Sequence, residues 1–558
     1  MIQNETRNQV NGAANTSLTE ADLNPNESKQ VSFFAACFLP YGFLIWASLS
    51  YLVGTTFDTP PLLELFKNLA SLVLVFGVGH CALGLVIRKS PQRELVLLAM
   101  IVFVMMYGTF SGKVVHLLGN SATLMVWSLI CLGSMVSLYR FGSHPAMKEM
   151  IWAPGFGLVV VLVFQCFWIG KPMLNDLTQL GKLNWQPVQK SSNDVGLYVG
   201  SSVDSKRPDI YYIVVDAYCR EDVLNELYGF DNAGFLGSLE QRDFFIGTES
   251  RSNYPCTEFS LASTLNLMHL TDLGLETFET NAPLHKMLMD CYVNRYLKQL
   301  GYQSICFDSG KLQTSLHSFT RFESPSPTLN GFQDTLIHQT VVPELMKYCA
   351  FGFRSVARQH GDRIIDTLNE VGRVVTASDP PTFVFAHLLS PHPPFVFDSD
   401  GNEVEKYGYF LRADADHFTE RFECSPEIYK DAYVQQLRFL NKRLLATVDA
   451  IQERDRDAII IIQGDHGPRL NVGRLNFEPK PQMDEIHREG YAILNAIHVP
   501  APWRPEFYDS QSSVNTFGLI FNEVFGAQFE LLEDRSYLPS DKYLFSDVTD
   551  QSLPNVVY

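Results

Sequence analysis

The feature that most constrains this chain is a series of five apolar runs in its first third, near residues 31–53, 68–87, 95–111, 122–139 and 151–170. Each run is close to the roughly 20 residues that a helix needs to cross a bilayer, although the third and fourth are the shortest. A set of buried core helices is the alternative, but five successive runs with short polar connectors are hard to hide in a soluble core. The sequence therefore predicts a five-helix transmembrane domain over residues 31–170.

The basic residues of the connectors predict how these helices are oriented. The connectors after the second and fourth runs are the basic ones, carrying Arg88, Lys89 and Arg93, and Arg140 and Lys148, respectively. Loops rich in Lys and Arg stay in the cytoplasm. We therefore expect residues 1–30 to be a disordered cytoplasmic tail of polar composition, and everything after residue 170 to lie outside. The chain is therefore predicted to be a multi-pass membrane protein.

Composition narrows the possible functions. The net charge of −18 leaves no surplus of Lys and Arg for phosphate contacts, so we expect no nucleic-acid partner. The ten cysteines include no C-x-x-C pair, which argues against a zinc ribbon and a thioredoxin-like motif. Their spacing does not reveal whether any of them form disulfides.

The remainder of the chain alternates between strand-like and helix-like segments. Residues 171–207 are predicted to be a linker with an amphipathic stretch that could lie on the membrane surface. From about residue 208, β-branched and aromatic runs such as "IYYIVV" and "TFVFAHLLS" are separated by helical patterns. This alternation predicts an α/β domain over residues 208–558, with a mostly parallel central sheet covered by helices. Ligands of such sheets bind beyond the carboxyl ends of the strands.

Polar residues stand at three of these predicted strand ends. Asp216 ends the first strand, His392 follows "TFVFAHLLS" in "PHPPF", and Asp465 and His466 follow the apolar strand "IIIIQG". Asp216 could instead cap the next helix, and His392 could be an ordinary loop histidine. Burying a carboxylate beside an imidazole is costly unless something pairs with them. Two carboxylates and an imidazole at one sheet edge would bind a divalent cation well.

A fourth element supplies a candidate nucleophile. The segment "SRSNYPCTEFSLASTLNL" passes from a turn into a helical pattern, with Thr257 at the expected N-cap and Glu258 in the first turn. The positive end of a helix favours an alkoxide and any bound phosphate. Coordination to a metal would lower the pKa of the hydroxyl further. Thr257 could also be only a cap.

Taken together, these residues resemble the alkaline phosphatase and sulfatase superfamily. An Asp at the first strand end, a Thr at a helix start, "PHPPF" and then "DHG" occur in the order that family shows. The predicted membrane spans make the chain similar to the lipoteichoic acid synthase and phosphoethanolamine transferase branch. The resemblance implies that the metal ligands are Asp216, Thr257, Asp465 and His466, and that His392 contacts the transferred phosphate.

The sequence departs from these relatives at three places. Asp216 stands where the transferase branch often has Glu. The segment "CTEFS" lacks the proline and arginine of the C-x-P-x-R pattern, so Cys256 is not expected to be a formylglycine precursor. The motif "DHGP" replaces a common "DHGE", which leaves the role of Arg469 open.

The resemblance implies a membrane-anchored transferase that depends on one divalent metal ion, Mn²⁺, Mg²⁺ or Zn²⁺. It also implies a multi-pass protein of a bacterial inner membrane, with the catalytic domain in the periplasm or outside the cell. The transferase would move phosphoglycerol or phosphoethanolamine from a phospholipid donor to a cell-envelope glycan or lipid through a phospho-threonine. Two alternatives remain open. One is a sulfatase-like hydrolase or phosphodiesterase in which water replaces the acceptor, and the other is a non-catalytic envelope protein.

Overall fold

The computed structural model describes two compact parts of the chain. It describes residues 39–49, 62–88, 90–142, 158–163, 174–183, 207–273, 280–326, 339–346, 356–374, 380–404, 425–473, 483–539 and 545–549, apart from a few positions within and between these ranges. The first unit comprises Met1–Tyr51, Leu62–Phe167 and Gln339–Glu344. The second unit comprises Leu52–Pro61, Trp168–His338 and Leu345–Tyr558.

The first unit is helical in its described residues. Its helices are α1 (Leu39–Leu49), α2 (Leu62–Val86), α3 (Ser90–Met105), α4 (Tyr107–Leu118) and α5 (Asn120–Phe141). Two stretches among the described residues, Phe66–Val86 and Ser121–Phe141, are long and apolar enough to cross a membrane. Most of the predicted fifth run lies outside the described residues, as does about half of the first. The five-helix transmembrane domain therefore stays a prediction.

The predicted third run, 95–111, is not one continuous helix. It is divided at Met106, so that α3 has 16 residues and α4 has 12. At this break the amide of Gly108 donates to the carbonyl of Gln339 at 2.8 Å. A Cβ on Gly108 would lie only 2.8 Å from that carbonyl oxygen, so the close approach depends on glycine. Each half is shorter than the roughly 20 residues of a membrane span.

The second unit is built on a central sheet that has seven strands among the described residues. The strands are β1 (Ile210–Val215), β2 (Phe245–Ile246), β3 (Gln303–Phe307), β4 (Arg321–Glu323), β5 (Thr382–Leu388), β6 (Ile459–Gly464) and β7 (Asn495–His498). Their order is β2-β7-β6-β1-β5-β3-β4. Strands β4, β3, β5, β1 and β6 are parallel neighbours, while β7 pairs antiparallel with both β6 and β2. The predicted mostly parallel α/β sheet is confirmed.

Helices cover both faces of this sheet. They are α6 (Glu221–Tyr228), α7 (Ala233–Glu240), α8 (Thr257–Asn266), α9 (Ala282–Met289), α10 (Tyr292–Gln299), α12 (Val356–Val371), α13 (Pro426–Arg454), α14 (Leu470–Gly473), α15 (Met483–Tyr491) and α16 (Thr516–Phe525). One further helix, α11 (Val342–Met346), begins in the segment Gln339–Glu344 that belongs to the first unit. A short hairpin, β8 (Tyr537–Pro539) with β9 (Phe545–Asp547), follows. Tyr211 and Ile213 belong to one apolar core, whereas Tyr212 and Val214 belong to the core on the opposite face. Because successive side chains of β1 enter the two cores in turn, both faces of the strand are buried, and its sequence is a continuous apolar run.

The register of the parallel strands brings three strand ends to one place. Val215 at the end of β1 is paired with Leu388 of β5 and with Gly464 of β6. The residues that follow these three strands therefore emerge side by side at the carboxyl edge of the sheet, where ligands of such sheets bind.

Candidate active site

Asp216, Asp465 and His466 meet at this carboxyl edge, and we call these three residues the cluster. One potential ligand atom from each residue lies within 4.8 Å of the other two. Their exposed fractions are 2%, 2% and 6%, so the two carboxylates and the imidazole are withdrawn from water. Buried charges of one sign are costly unless a cation or hydrogen bonds compensate them.

The two oxygens of Asp465 have different surroundings. Its Oδ1 accepts hydrogen bonds from the amides of Ala217, at 3.1 Å, and of His466, at 2.9 Å. Ala217 takes a left-handed backbone conformation, with φ of 62°, which L-residues adopt only at a cost. Oδ2 has no hydrogen-bond partner among the described residues. The backbone therefore holds one oxygen and leaves the other facing the cluster.

The Nε2 of His466 is unprotonated and faces the site. The Nδ1 of His466 lies 2.7 Å from the carbonyl of Gly467, and since a carbonyl only accepts, Nδ1 carries the proton. Nε2 is therefore a lone-pair donor. It lies 3.2 Å from the hydroxyl of Thr257, 3.5 Å from Asp216 Oδ1 and 3.6 Å from Asp465 Oδ2.

Thr257 lies in the site, but its position in the helix differs from the sequence prediction. The N-cap of α8 is Cys256, whose backbone is extended (φ −137°, ψ 142°), and Thr257 is the first helical residue. The Thr257 side chain is not used as a cap, because its hydroxyl turns to His466 instead. The hydroxyl is buried and lies at the amino end of a ten-residue helix. The first backbone amides and the dipole of α8 favour an anion at this position.

The donor atoms of the site and the distances between them suit a divalent cation. Asp216 Oδ1 and Asp465 Oδ2 are buried carboxylate oxygens with no hydrogen-bond partner among the described residues. Ligands about 2.1 Å from a tetrahedral ion are roughly 3.4 Å apart. The observed separations from His466 Nε2, at 3.2, 3.5 and 3.6 Å, are of that size. The oxygen and imidazole donor set suits Mn²⁺, Mg²⁺ or Zn²⁺.

His392 reaches the same edge, on the loop after β5. Its amide donates to the carbonyl of Asp216 at 3.0 Å, and its ring centroid lies 6.5 Å from that of His466. Burial by itself would raise the pKa of Asp216. The positive charge that His392 can carry, and then the proton that His387 directs at Asp216, outweigh burial and lower the pKa of Asp216 below its ordinary value.

His387, which sequence reasoning did not single out, lies behind the two carboxylates. It is fully buried within β5, with Nε2 at 3.5 Å from Asp216 Oδ2 and 3.9 Å from Asp465 Oδ2. The signal was present in the sequence, because an imidazole inside the apolar run "TFVFAHLL" needs a partner as much as the end of "IIIIQGDHG" does.

Two glycines bracket Asp465 and His466 for reasons of space. A Cβ on Gly464 would lie 2.4 Å from the carbonyl oxygen of Tyr218. A Cβ on Gly467 would lie 1.7 Å from the carbonyl oxygen of Glu489. The backbone therefore passes too close to its neighbours at both positions for any side chain.

Cys256 and Arg469 form a contact beside Thr257. The Nη1 of Arg469 donates to Cys256 Sγ at 3.1 Å. Arg469 also has a left-handed backbone, with φ of 60°. The thiol therefore contacts the guanidinium, whereas the Thr257 hydroxyl contacts His466.

The sulfatase family model matches residues 212–506, which is more than half of the chain and includes every site residue named above. The chain therefore belongs to the sulfatase family, within the alkaline phosphatase and sulfatase superfamily. No protein in the curated set matches the chain.

Several solved structures have a similar fold. The zinc complex of the C-terminal periplasmic domain of EcEptC from Escherichia coli is 14% identical, with 63% of this chain and 94% of that chain covered and a TM-score of 0.39. The C-terminal periplasmic domain of phosphoethanolamine transferase EptC from Campylobacter jejuni is 13% identical, with 59% and 92% covered and a TM-score of 0.35. The integral membrane lipooligosaccharide phosphoethanolamine transferase A from Neisseria meningitidis is 12% identical, with 89% and 95% covered and a TM-score of 0.36. Likenesses of this size do not bear on the reaction.

Proposed function

We propose that this protein is a membrane-anchored, metal-dependent phosphotransferase. It would move phosphoglycerol or phosphoethanolamine from a phospholipid to a cell-envelope glycan or lipid, through a phospho-threonine on Thr257. The observation that best supports this proposal is the Thr257 hydroxyl, buried at a helix start and 3.2 Å from the unprotonated nitrogen of His466. In this proposal that hydroxyl is the nucleophile, and the carboxylates and imidazole beside it bind the metal.

In this proposal one divalent ion is held by Asp216, Thr257, Asp465 and His466. When bound, such an ion lowers the pKa of a coordinated hydroxyl and offsets the negative charge of a phosphodiester. His392 would donate a hydrogen bond to a phosphoryl oxygen. The first amides of α8 face the same space and favour negative charge.

The transfer would take two displacements at phosphorus. In the first, the Thr257 hydroxyl loses its proton and its Oγ1 bonds to phosphorus. The bond from phosphorus to the diacylglycerol oxygen breaks, and that oxygen leaves with the electron pair and takes up a proton. In the second, an acceptor hydroxyl loses its proton and bonds to phosphorus, and the bond to Thr257 Oγ1 breaks. The threonine hydroxyl is then restored. A membrane anchor would raise the rate because it keeps the site where the donor lipid is concentrated.

The local sequence and contacts favour this reaction over sulfate-ester hydrolysis. A formylglycine would require the C-x-P-x-R pattern that "CTEFS" lacks. Cys256 also contacts Arg469, whereas Thr257 contacts the cluster. A purely structural role would leave two buried carboxylate oxygens without a hydrogen-bond partner among the described residues, which is costly.

The proposal includes the domain organisation. Residues 1–30 would be a cytoplasmic tail, 31–170 a five-helix membrane domain, 171–207 a linker and 208–558 the catalytic domain. That catalytic domain would lie in the periplasm or outside the cell. The donor lipid would be reached from the outer face of the inner membrane.

Mass spectrometry of the full-length protein in detergent tests the intermediate. After incubation with phosphatidylethanolamine or phosphatidylglycerol micelles, we expect a headgroup adduct on the peptide that contains Thr257. Thr257→Ala should carry no adduct, and Thr367→Val, a matched change at a buried threonine of α12, should carry it. Headgroup release that proceeds without any adduct would contradict the phospho-threonine. Release to water at the same rate with and without an acceptor would favour a phosphodiesterase.

A further inference from the structure

His387 is the group in the second unit whose surroundings the proposed reaction leaves unexplained. Its side chain is completely buried. Nε2 faces two carboxylate oxygens, Asp216 Oδ2 at 3.5 Å and Asp465 Oδ2 at 3.9 Å. We assign the proton of this ring to Nε2, because Nε2 faces carboxylates, which only accept, whereas Nδ1 faces the hydroxyl of Thr314, which can donate. These separations are too long for full hydrogen bonds. The Nε2–H therefore attracts the carboxylates but leaves their oxygens able to bind another partner.

The other ring nitrogen is held by a hydroxyl. Nδ1 of His387 lies 2.8 Å from Thr314 Oγ1. That hydroxyl lies 2.8 Å from Ser309 Oγ, so it can give one hydrogen bond and accept another. Thr314 and Ser309 are both buried. The imidazole therefore has a fixed orientation, with one nitrogen on a hydroxyl chain and the other on the carboxylates.

The hydroxyls belong to one loop, residues 308–316, which we call the post-β3 loop. The carboxylate of Asp308 accepts hydrogen bonds from the amide of Gly310 and the hydroxyl of Ser315, both at 2.9 Å. Lys311 in the same loop forms a 2.8 Å ion pair with Glu258. Because Glu258 follows Thr257 at the start of α8, the post-β3 loop is tied both to the nucleophile's helix and to His387.

We propose that His387 and Thr314 are positioning residues for the metal centre. His387 would turn the two carboxylates toward the ion through its Nε2–H, and Thr314 would lock the ring in the orientation this requires. The arrangement corresponds to the outer-shell partners that orient metal ligands in other proteins, whose loss commonly lowers metal affinity by about 10- to 100-fold. This inference rests on the metal site of the proposed function.

The test measures metal binding directly and does not depend on turnover. Full-length protein in detergent is stripped with a chelator and titrated with Co²⁺, whose visible absorption reports ligand geometry, and Zn²⁺ is then used in competition. The variants are Thr314→Val, which keeps the shape and removes the hydroxyl, and Thr314→Ser, which restores it. Thr367→Val is the matched control, because Thr367 is equally buried on α12 and its hydroxyl has no partner among the described residues.

We expect Thr314→Val to bind Co²⁺ about 10- to 100-fold more weakly, with an altered spectrum. Thr314→Ser should recover most of the affinity, and Thr367→Val should match the wild type. His387→Gln, whose amide can donate near the Nε2 position, should bind more tightly than His387→Leu. The melting midpoints of the metal-free variants separate a positioning effect from general loss of folding.

The outcomes also separate this inference from the proposed function. If wild type binds Co²⁺, Asp465→Asn does not, and Thr314→Val is indistinguishable from wild type, then the positioning role is wrong and the metal site stands. If the wild type fails to bind Co²⁺ and Zn²⁺, or if Asp465→Asn binds them with wild-type affinity, the proposed metal site is wrong. The positioning role of His387 and Thr314 is then wrong as well.

Discussion

At the scale of single residues, the chemistry of the site depends on which atoms the protein leaves without partners. Backbone amides occupy one oxygen of Asp465, and the other faces the cluster. The carbonyl of Gly467 occupies Nδ1 of His466, so Nε2 faces Thr257. In each residue one polar atom makes the hydrogen bond that orients the side chain, and the other remains available to a metal ion. Residues that coordinate metals are commonly oriented in this way.

A prediction at this scale concerns the choice between two adjacent nucleophiles. We expect Thr257→Ala to abolish turnover, by about a thousandfold or more, because a covalent nucleophile stabilises the transition state by several kcal/mol. Cys256→Ala should keep a substantial part of the activity, since its thiol contacts Arg469 and not the cluster. The assay is headgroup release from labelled lipid by each purified variant. An active Thr257→Ala enzyme beside an inactive Cys256→Ala enzyme would instead support a sulfatase-like reaction.

At the scale of secondary-structure elements, the close packing of the segment after β6 sets the position of its ligands. Gly467 lies against the carbonyl of Glu489, in the last turn of α15. We expect Gly467→Ala to lower Co²⁺ affinity at least tenfold and to lower the melting midpoint, because the added Cβ must displace the 465–467 backbone. Gly237→Ala is the control, since nothing lies within 4 Å of the added Cβ. In α7 it should be neutral or stabilising by about 0.5–1 kcal/mol. Wild-type behaviour of Gly467→Ala would show that the segment has room to move.

A second prediction at this scale concerns the antiparallel edge of the sheet. His498 ends β7, where its Nδ1–H donates to the carbonyl of Asp243 at 3.1 Å. Burial lowers the pKa of His498. The unfolded chain therefore takes up this proton at a higher pH than the folded protein does. The resulting stabilisation is complete above the unfolded pKa, near 6.5, and is lost as the pH falls from there toward the folded pKa.

The measurement is the melting midpoint of the full-length protein at about pH 7.5 and at about pH 5.5, on either side of the ordinary histidine pKa. We expect His498→Gln to lose less stability than wild type between these two conditions. His317→Gln, a change at an exposed histidine, should keep the wild-type difference. An identical decrease in all three proteins would mean that other groups account for the pH dependence.

At the scale of the whole molecule, the prediction concerns which side of the membrane the catalytic unit occupies. The basic connectors predict that residues after 170 lie outside the cytoplasm. A reporter enzyme that folds only outside the cytoplasm, fused after residue 180, should therefore be active, and a reporter that works only in the cytoplasm should be silent. A fusion after residue 91, in the second connector, is the control and should give the opposite pattern. Activity of the cytoplasmic reporter after residue 180 would reverse the predicted orientation.

Much of the catalytic unit could be predicted because its signals are local. A buried parallel strand reads as an apolar run, so the runs that end at Asp216 and Asp465 were recognisable, and ligands of such sheets bind at those ends. The same local reasoning misplaced the helix start by one residue, because Thr is a preferred N-cap and Cys is not, whereas in the fold the Thr257 hydroxyl contacts His466 instead of capping the helix. It also joined α3 and α4 into one run, because the apolar pattern continues through the break at Met106, next to which Gly108 bonds to the distant Gln339.

The sequence by itself determined the class of fold, the strand ends that carry the chemistry and the residue types available there. Only the tertiary structure decided which of those residues meet. Thr257 and His466 are 209 positions apart, and His387 and Thr314 are 73 positions apart. Their contacts depend on β1 lying between β5 and β6 and on the path of the post-β3 loop. Strand order is a property of the global packing of two apolar faces, and no local pattern of hydrophobicity encodes it.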